Sequence, residues 1–331
     1  MKIALAYNKK PEEDILEDDE PPDRYAEYDP PRTIEAITSA LESLGHKVFP
    51  IEAKKDFLER ILEVSPDIVF NIAEGLKGES RESQVPAILE WLGIPYTGSD
   101  PLTMAITLDK PITKKILQVE GIPTPRFAVV SESENLTSVE SLNFPLIVKP
   151  SHEGSSMGLN SKSIVYSCKE LEERVDVIIK FYRQPALVEE FIEGRELTVG
   201  ILGNSPSEVL PIKELDFSGV PENLGRFASG EIKAKYWYMV KHYCPAPLDE
   251  GLYERIKDVS LKVFKALRCR DLARLDIRLS KDGTPYVLEL NPLPDLDPKE
   301  GNFPDMARIK GMSYKELINA ILNAGVSRYP N

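Results

Sequence analysis

Apolar residues run together from Ile3 to Tyr7, then recur as Ile34, Ile37, Leu41 and Leu44 until Gly45. That is the pattern of a buried strand followed by an amphipathic helix with a glycine stop. The exchange repeats: His46 to Ile51 reads as a strand, Phe57 to Val64 as a helix, Asp67 to Asn71 as a strand and Gln84 to Leu92 as a helix. Strands alternating with helices predict a doubly wound α/β unit, a parallel sheet with helices on both faces. Ser99-Asp100-Pro101 places a capping residue before a proline at the first helical position, so a helix and a domain boundary are expected near residue 100. Beyond it the pattern changes to short strands at Ala128 to Val130, Leu146 to Lys149, Ser163 to Tyr166, Ala186 to Phe191 and Leu197 to Leu202, with a late helix from Tyr253 to Leu267. Such a mixture predicts α+β units, and no repeat with a period of tens of residues is visible.

Composition narrows the function. With 331 residues, 42% hydrophobic and 29% charged, the chain is long enough for about two domains and has the balance of a soluble folded protein. Lysine and arginine number 41 against 54 acidic residues, a net charge of −13, which argues against nucleic acid or an anionic membrane as partner. No apolar run approaches the roughly 20 residues of a membrane span, and Ile3 to Tyr7 is too short for a signal sequence, so a cytoplasmic protein is expected. Cys168, Cys244 and Cys269 lack C-x-x-C spacing, and His46, His152 and His242 are scattered. Carboxylates must therefore carry any metal. Pro11 to Pro31 holds ten acidic residues, one arginine and five prolines. Such a stretch reads as a solvated flap, yet a loop leaving the first strand also opens into the crevice where doubly wound sheets bind ligands.

Three motifs carry chemistry. From Ala273 to Asn291 two alternating strands flank Lys281-Asp282-Gly283-Thr284, and Asp-Gly is a strong hairpin signal. A two-residue Asp282-Gly283 turn pairs Lys281 with Thr284, Asp276 with Glu289 and Arg274 with Asn291, every pair summing to 565. Arg274, Asp276, Glu289 and Asn291 then share one face, with opposed Cβ atoms about 5 Å apart. Two carboxylates and an amide oxygen there suit magnesium (or manganese), whose remaining positions go to water or phosphate. The alternative is a solvent-facing hairpin in which Arg274 pairs with the acids, and a bulge would turn one strand over. Next, Lys149 to Gly158 follows an apolar strand. Its serines and glycines can form an amide nest for phosphate oxygens with Lys149 as the cation, or a plain turn. Gly154-Ser155-Ser156-Met157-Gly158 also fits G-x-S-x-G, but no helix or suitable histidine follows, as a hydrolase would need. Last, Leu187 to Leu197 reads as strand, tight turn, strand: an exposed hairpin, or a place where Glu189, Glu196 and the backbone at Phe191 and Ile192 hold a flat heterocycle and a ribose.

In this order the pieces resemble the ATP-grasp ligases, specifically the D-alanine–D-alanine ligases. The likeness runs from about Asn71 to Leu322 and is strongest at Leu92 to Ser99, Leu108-Asp109-Lys110, Lys149 to Gly158, Val188 to Thr198, Ala234-Lys235-Tyr236 and Arg274 to Asn291. It implies an ATP-grasp fold of three parts: the α/β domain at 1–101, a central α+β lid at 102–186, and a C-terminal α+β part at 187–331 that bears the metal hairpin. It also implies Lys110, Lys149 and Lys235 around the ATP phosphates, Ser155 and Ser156 in the loop over the terminal ones, and Glu189, Phe191, Ile192 and Glu196 at adenosine. Asp276, Glu289 and Asn291 match magnesium ligands. Arg274, with Ser155 and Tyr236, matches the catalytic set. Tyr236 reads equally as a core aromatic of Tyr236-Trp237-Tyr238. The implied reaction is amide formation through an acyl phosphate, with amino-acid or peptide substrates and a homodimeric enzyme.

The sequence departs from the family pattern on the substrate side. Glu74-Gly75 stands where the family has His-Gly, Asp295 stands at a glycine position, and a serine that receives the acceptor carboxylate is absent. These changes point to an amine-bearing or cationic substrate at Glu74 and Asp295. A true D-alanine–D-alanine ligase and a non-catalytic nucleotide-binding module are the alternatives.

Overall fold

The computed structural model describes residues 1–11, 20–133 and 135–329; most of the acidic stretch before Glu20 lies outside them. Three sheets organise the chain. The first is parallel, with strands β1 (Lys2–Tyr7), β2 (Lys47–Glu52) and β3 (Ile68–Asn71) in the order β2-β1-β3. Alternation along β1 sends Ile3 and Leu5 to one face, where they pack with Ile34, Ile37 and Leu41 and with the C-terminal helix Tyr314–Val326. Ala4 and Ala6 face the other way, onto Phe57, Ile61, Val85 and Leu89 of the next two helices. Helices therefore cover both faces, as the period-two and period-3.6 patterns require. Asp100 caps the helix Pro101–Leu108 by accepting the Thr103 amide, and Asp109 caps Lys110–Val119 the same way at Ile112.

The second sheet joins β4 (Phe127–Val130), β5 (Leu146–Pro150), β6 (Ile164–Val165) and β7 (Ala186–Glu190) in the order β4-β7-β5-β6, all antiparallel. The third holds β8 (Gly194–Leu202), β9 (Glu208–Val209), β10 (Lys213–Asp216), β11 (Lys241–Tyr243), β12 (Leu272–Ser280) and β13 (Pro285–Asn291), ordered β11-β10-β8-β12-β13 with β9 on β8. Leu197, Val199, Ala273, Leu275 and Ile277 bury one side of this sheet against Ile256 and Val263 of the helix Glu250–Ala266. The opposite side faces the cleft.

Two sequence expectations are corrected. Leu187 to Leu197 is no hairpin: β7 pairs with β4 and β5, whereas β8 pairs with β10 and β12. Residues 191–193 are the passage from one sheet to the other. The β12–β13 turn also differs from the two-residue form. Gly283 donates to the Ser280 carbonyl and Ser280 pairs with Thr284, leaving a three-residue loop with Gly283 at φ +81. Lys281 therefore does not face Thr284, and pairs near the turn, such as Ile277 with Val287, sum to 564. A bulge between Asp276 and Ile277 on the ladder restores 565, so Asp276 does face Glu289 and Arg274 faces Asn291.

Candidate active site

Ladder geometry builds the floor of the cleft. Across β8, β12 and β13 three rows form: Glu196 opposite Arg278, Thr198 opposite Asp276 and then Glu289, and Gly200 opposite Arg274 and then Asn291. Side chains of directly paired residues share a face. Asp276 accepts from the Thr198 hydroxyl and, at 2.9 Å, from the Arg274 guanidinium. Burial would raise its pKa, but Arg274 and the Thr198 hydrogen bond hold it below the ordinary carboxylate range. Arg274 keeps a buried Nε without a partner among the described residues, a donor aimed at no protein acceptor. Among those residues no three His, Cys, Asp or Glu side chains gather as a self-sufficient metal cage. Asp276, Glu289 and Asn291 thus offer two carboxylates and an amide, the partial set that suits a magnesium ion shared with phosphate and water.

Lysines form the wall. Lys110, at the start of its helix, donates to the Glu153 carbonyl and stands 3.7 Å from Glu289. Lys149 on β5 pairs at 2.6 Å with Glu189 on β7, and Lys114, fully buried, pairs with the other oxygen of Glu189. Burial pushes Lys114 down to about 8 against the pull of Glu189. The Glu189 carboxylate is thus shared by two lysines at the cleft wall. Glu196 is held at 2.7 Å by Arg278, whose Nε also donates to the Ile192 carbonyl and whose guanidinium lies 5.0 Å over the Phe191 ring. The Phe191 amide is taken by the Pro145 carbonyl at 2.9 Å, and among the described residues only the Ile192 amide of that pair is unpartnered.

Lys110, Lys149, Ser155, Ser156, Glu189, Phe191, Ile192, Glu196, Arg274, Asp276 and Glu289 line one cleft. Lys235, Tyr236, Glu74, Asn291 and Asp295 are not among its lining residues. From the helix Gly230–Lys235 it is Lys233 that reaches the wall, and desolvation first, then Arg274, lowers its pKa although much of the residue stays open to solvent. Tyr236 packs against the apolar cluster of Leu215, Phe217 and Ile232, its core reading, while its neighbour Trp237 lines the cleft. Glu74 and Asp295 lie on the acidic side, connected through Asp29: burial first, then neighbouring acids including Asp295, raise Asp29 well above its usual value, and Glu74 is raised likewise by burial and by Glu82, Glu27 and Asp29. Asp295 is raised as well, by desolvation from its neighbours first, although the residue itself is exposed.

Lys114 and Arg278 escaped the sequence reading. Arg278 was within reach, since it stands two and four residues from Asp276 and Arg274 and so shares their face. Lys114 carried no such signal.

The profile of the D-ala D-ala ligase C-terminus matches residues 116–323, more than half of the chain. The chain belongs to the D-alanine–D-alanine ligase family. A D-alanine–D-alanine ligase of Aquifex aeolicus is 37% identical over 292 residues, 88% of this chain and 94% of that one. An uncharacterised protein of Sinorhizobium fredii is 38% identical over 306 residues, covering 90% and 88%. The crystal structure of the D-alanine–D-alanine ligase of Bacillus anthracis complexed with ATP superposes with a TM-score of 0.77 at 27% identity, covering 99% of this chain and 98% of that one. This member of the family is accordingly an ATP-grasp carbon–nitrogen ligase with a parallel N-terminal sheet and antiparallel sheets beyond it. No helix among its described residues is long and apolar enough to cross a membrane.

Proposed function

We propose that the enzyme joins two amino-acid-type substrates, one of them bearing a second amine or another cationic group, through an acyl phosphate. A carboxylate is a poor electrophile until its oxygen becomes a good leaving group, and ATP supplies the phosphoryl group that makes it one. Transfer of that group depends mainly on positioning and charge neutralisation. Lys110 and Lys149 would neutralise the phosphates, and the amides of Ser155 and Ser156, which line the same cleft, would receive them. Asp276 and Glu289, with Asn291 beside them, would hold the magnesium ion, which supplies charge neutralisation. The unpartnered Nε of Arg274 would steady an oxyanion.

The altered substrate rests on one observation: Asp29 lies within electrostatic reach of both Glu74 and Asp295, with Glu74 and Asp29 half-buried and Asp295 exposed at the edge of the group. Such a group is relieved by a cation. The names of the relatives favour a second reading, D-alanine–D-alanine ligation itself. Phosphate release from magnesium-ATP with single amino acids separates the two. Release with D-alanine alone supports ordinary ligation, and release that requires a diamino or cationic amino acid supports the altered substrate. Glu74→Gln should then weaken that substrate while sparing ATP; unchanged substrate affinity would discard the acidic-site reading. The resemblance further implies a homodimer, which light scattering checks.

A further inference from the structure

The described part of the acidic stretch is tied to the glycine loop that follows β5. Asp23 accepts the Gly158 amide at 2.7 Å, and its two oxygens accept the Tyr182 hydroxyl at 2.9 and 3.0 Å. Glu27 accepts the Gly154 amide at 2.6 Å with one oxygen and the Arg81 guanidinium at 2.6 Å with the other. Arg174 donates to the Gly158 carbonyl. Both ends of the loop are thus clamped by carboxylates from a segment 127 to 135 residues earlier in the chain. Between the clamps Ser155 and Ser156 adopt φ of +45° and +62°, and among the described residues their amides take no partner. The Gly158 end has no slack: at φ +73 a Cβ would fall 2.6 Å from Pro150 Cγ and 3.2 Å from the Tyr182 ring.

Hydrogen bonds to charged acceptors are about twice as strong as neutral ones, and an amide already given to a carboxylate is closed to a second anion. The clamps therefore leave the two central amides for an incoming phosphate. The negative charge of Glu27 is met by Arg81, and Asp23, hydrogen-bonded by Tyr182 and Gly158, lies within electrostatic reach of Arg174. We propose that Asp23 is a positioning residue: with Tyr182 it pins the Gly158 end of the loop so that the Ser155 and Ser156 amides are presented to the nucleotide. The acidic stretch is in this role a strut for the nucleotide site. The proposal rests on Lys149 to Gly158 being the phosphate loop.

The test uses the full chain with Asp23→Ala, Asp23→Asn and Tyr182→Phe. Hydrogen exchange of the 154–159 segment without nucleotide should be about tenfold faster in Asp23→Ala, the loss expected for one charge-assisted bond. Magnesium-ATP affinity by calorimetry should fall by a similar factor. Asp23→Asn keeps an acceptor oxygen and should recover most of both, and Tyr182→Phe should lie between. If Asp23→Ala fails to fold, Tyr182→Phe and Asp23→Asn still read the same two quantities. Faster exchange with unchanged ATP affinity would make Asp23 a structural tie only and overturn the proposal, as would unchanged exchange. Failure of the unmodified chain to bind ATP is seen before any variant is made, and it would remove the nucleotide site and this role together.

Discussion

Replacing Glu189 by glutamine tests whether the centre of the second sheet is held by charge. The residue is 1% exposed, Lys114 is 0% exposed, and Lys149 approaches the second oxygen at 2.6 Å. Glutamine keeps the volume and removes the charge, so two buried ammonium groups lose their counterion. Removing one partner of a buried pair costs about 3–5 kcal/mol. Proton release sets an independent ceiling, because a lysine of ordinary pKa 10.5 becomes neutral at pH 7 for about 5 kcal/mol. That ceiling holds for each lysine, about 10 kcal/mol for the two, so the pair-breaking cost lies within it, and urea unfolding followed by circular dichroism at pH 7 should show a loss of about 3–5 kcal/mol. The response to pH gives the mechanism. Lys149 is held above its ordinary value despite burial by Glu189 first and by Glu289 next; without Glu189 both lysines release protons in the folded chain while the unfolded chain keeps them up to about 10.5. Stability then rises with pH wherever the unfolded state binds more protons. The variant should therefore recover stability between about pH 8 and 10 more steeply than the unmodified protein. A loss under about 1 kcal/mol, or parallel pH curves, would refute the charge argument.

Two further outcomes are expected. Asp276→Asn should lower phosphate release by about a thousandfold and lower magnesium affinity, so that more of the ion is needed, while Thr198→Val, which removes only a hydrogen bond to the same carboxylate, should stay within about tenfold; an active Asp276→Asn enzyme would count against the metal hairpin. Burial first, then Glu27, raises Glu82 to about 8 from 4.5, so the folded chain binds the extra proton and stability falls as pH rises from 4.5 toward 8. Glu82→Gln should flatten that fall in thermal melts at pH 5 and 8, and an equally steep decline in the variant would show that another group is responsible.

The parallel sheet and its helices were legible because Ile3, Leu5, Ile34, Ile37 and Leu41 obey local periods. The capped start at Asp100 was legible because capping is chemistry within four residues. The facing of Asp276 and Glu289 was legible only by cancellation. The turn is one residue longer than Asp-Gly suggests and the ladder carries one bulge, and each deviation alone would have put the two acids on opposite faces. Adjacent strands β7 and β8 misled because alternation reports which residues share a face, not which strand lies beside which. Lys114 was hidden for a related reason: nothing in Lys110–Val119 tells that its ammonium meets Glu189 on a strand some seventy residues on. The contact between Asp23 and Gly158 is likewise non-local, and a proline-rich acidic run gives no period to read.

The passage at 191–193 has a mechanical meaning. Its first residue is fastened to the second sheet through Pro145, and its second to the third sheet through Arg278. The chain passes between the two sheets at the peptide that joins Phe191 to Ile192, and that peptide is itself part of the cleft wall. Whatever rests there touches backbone tied on one side to the second sheet and on the other to the third, so a single occupant meets both halves of the cleft at once.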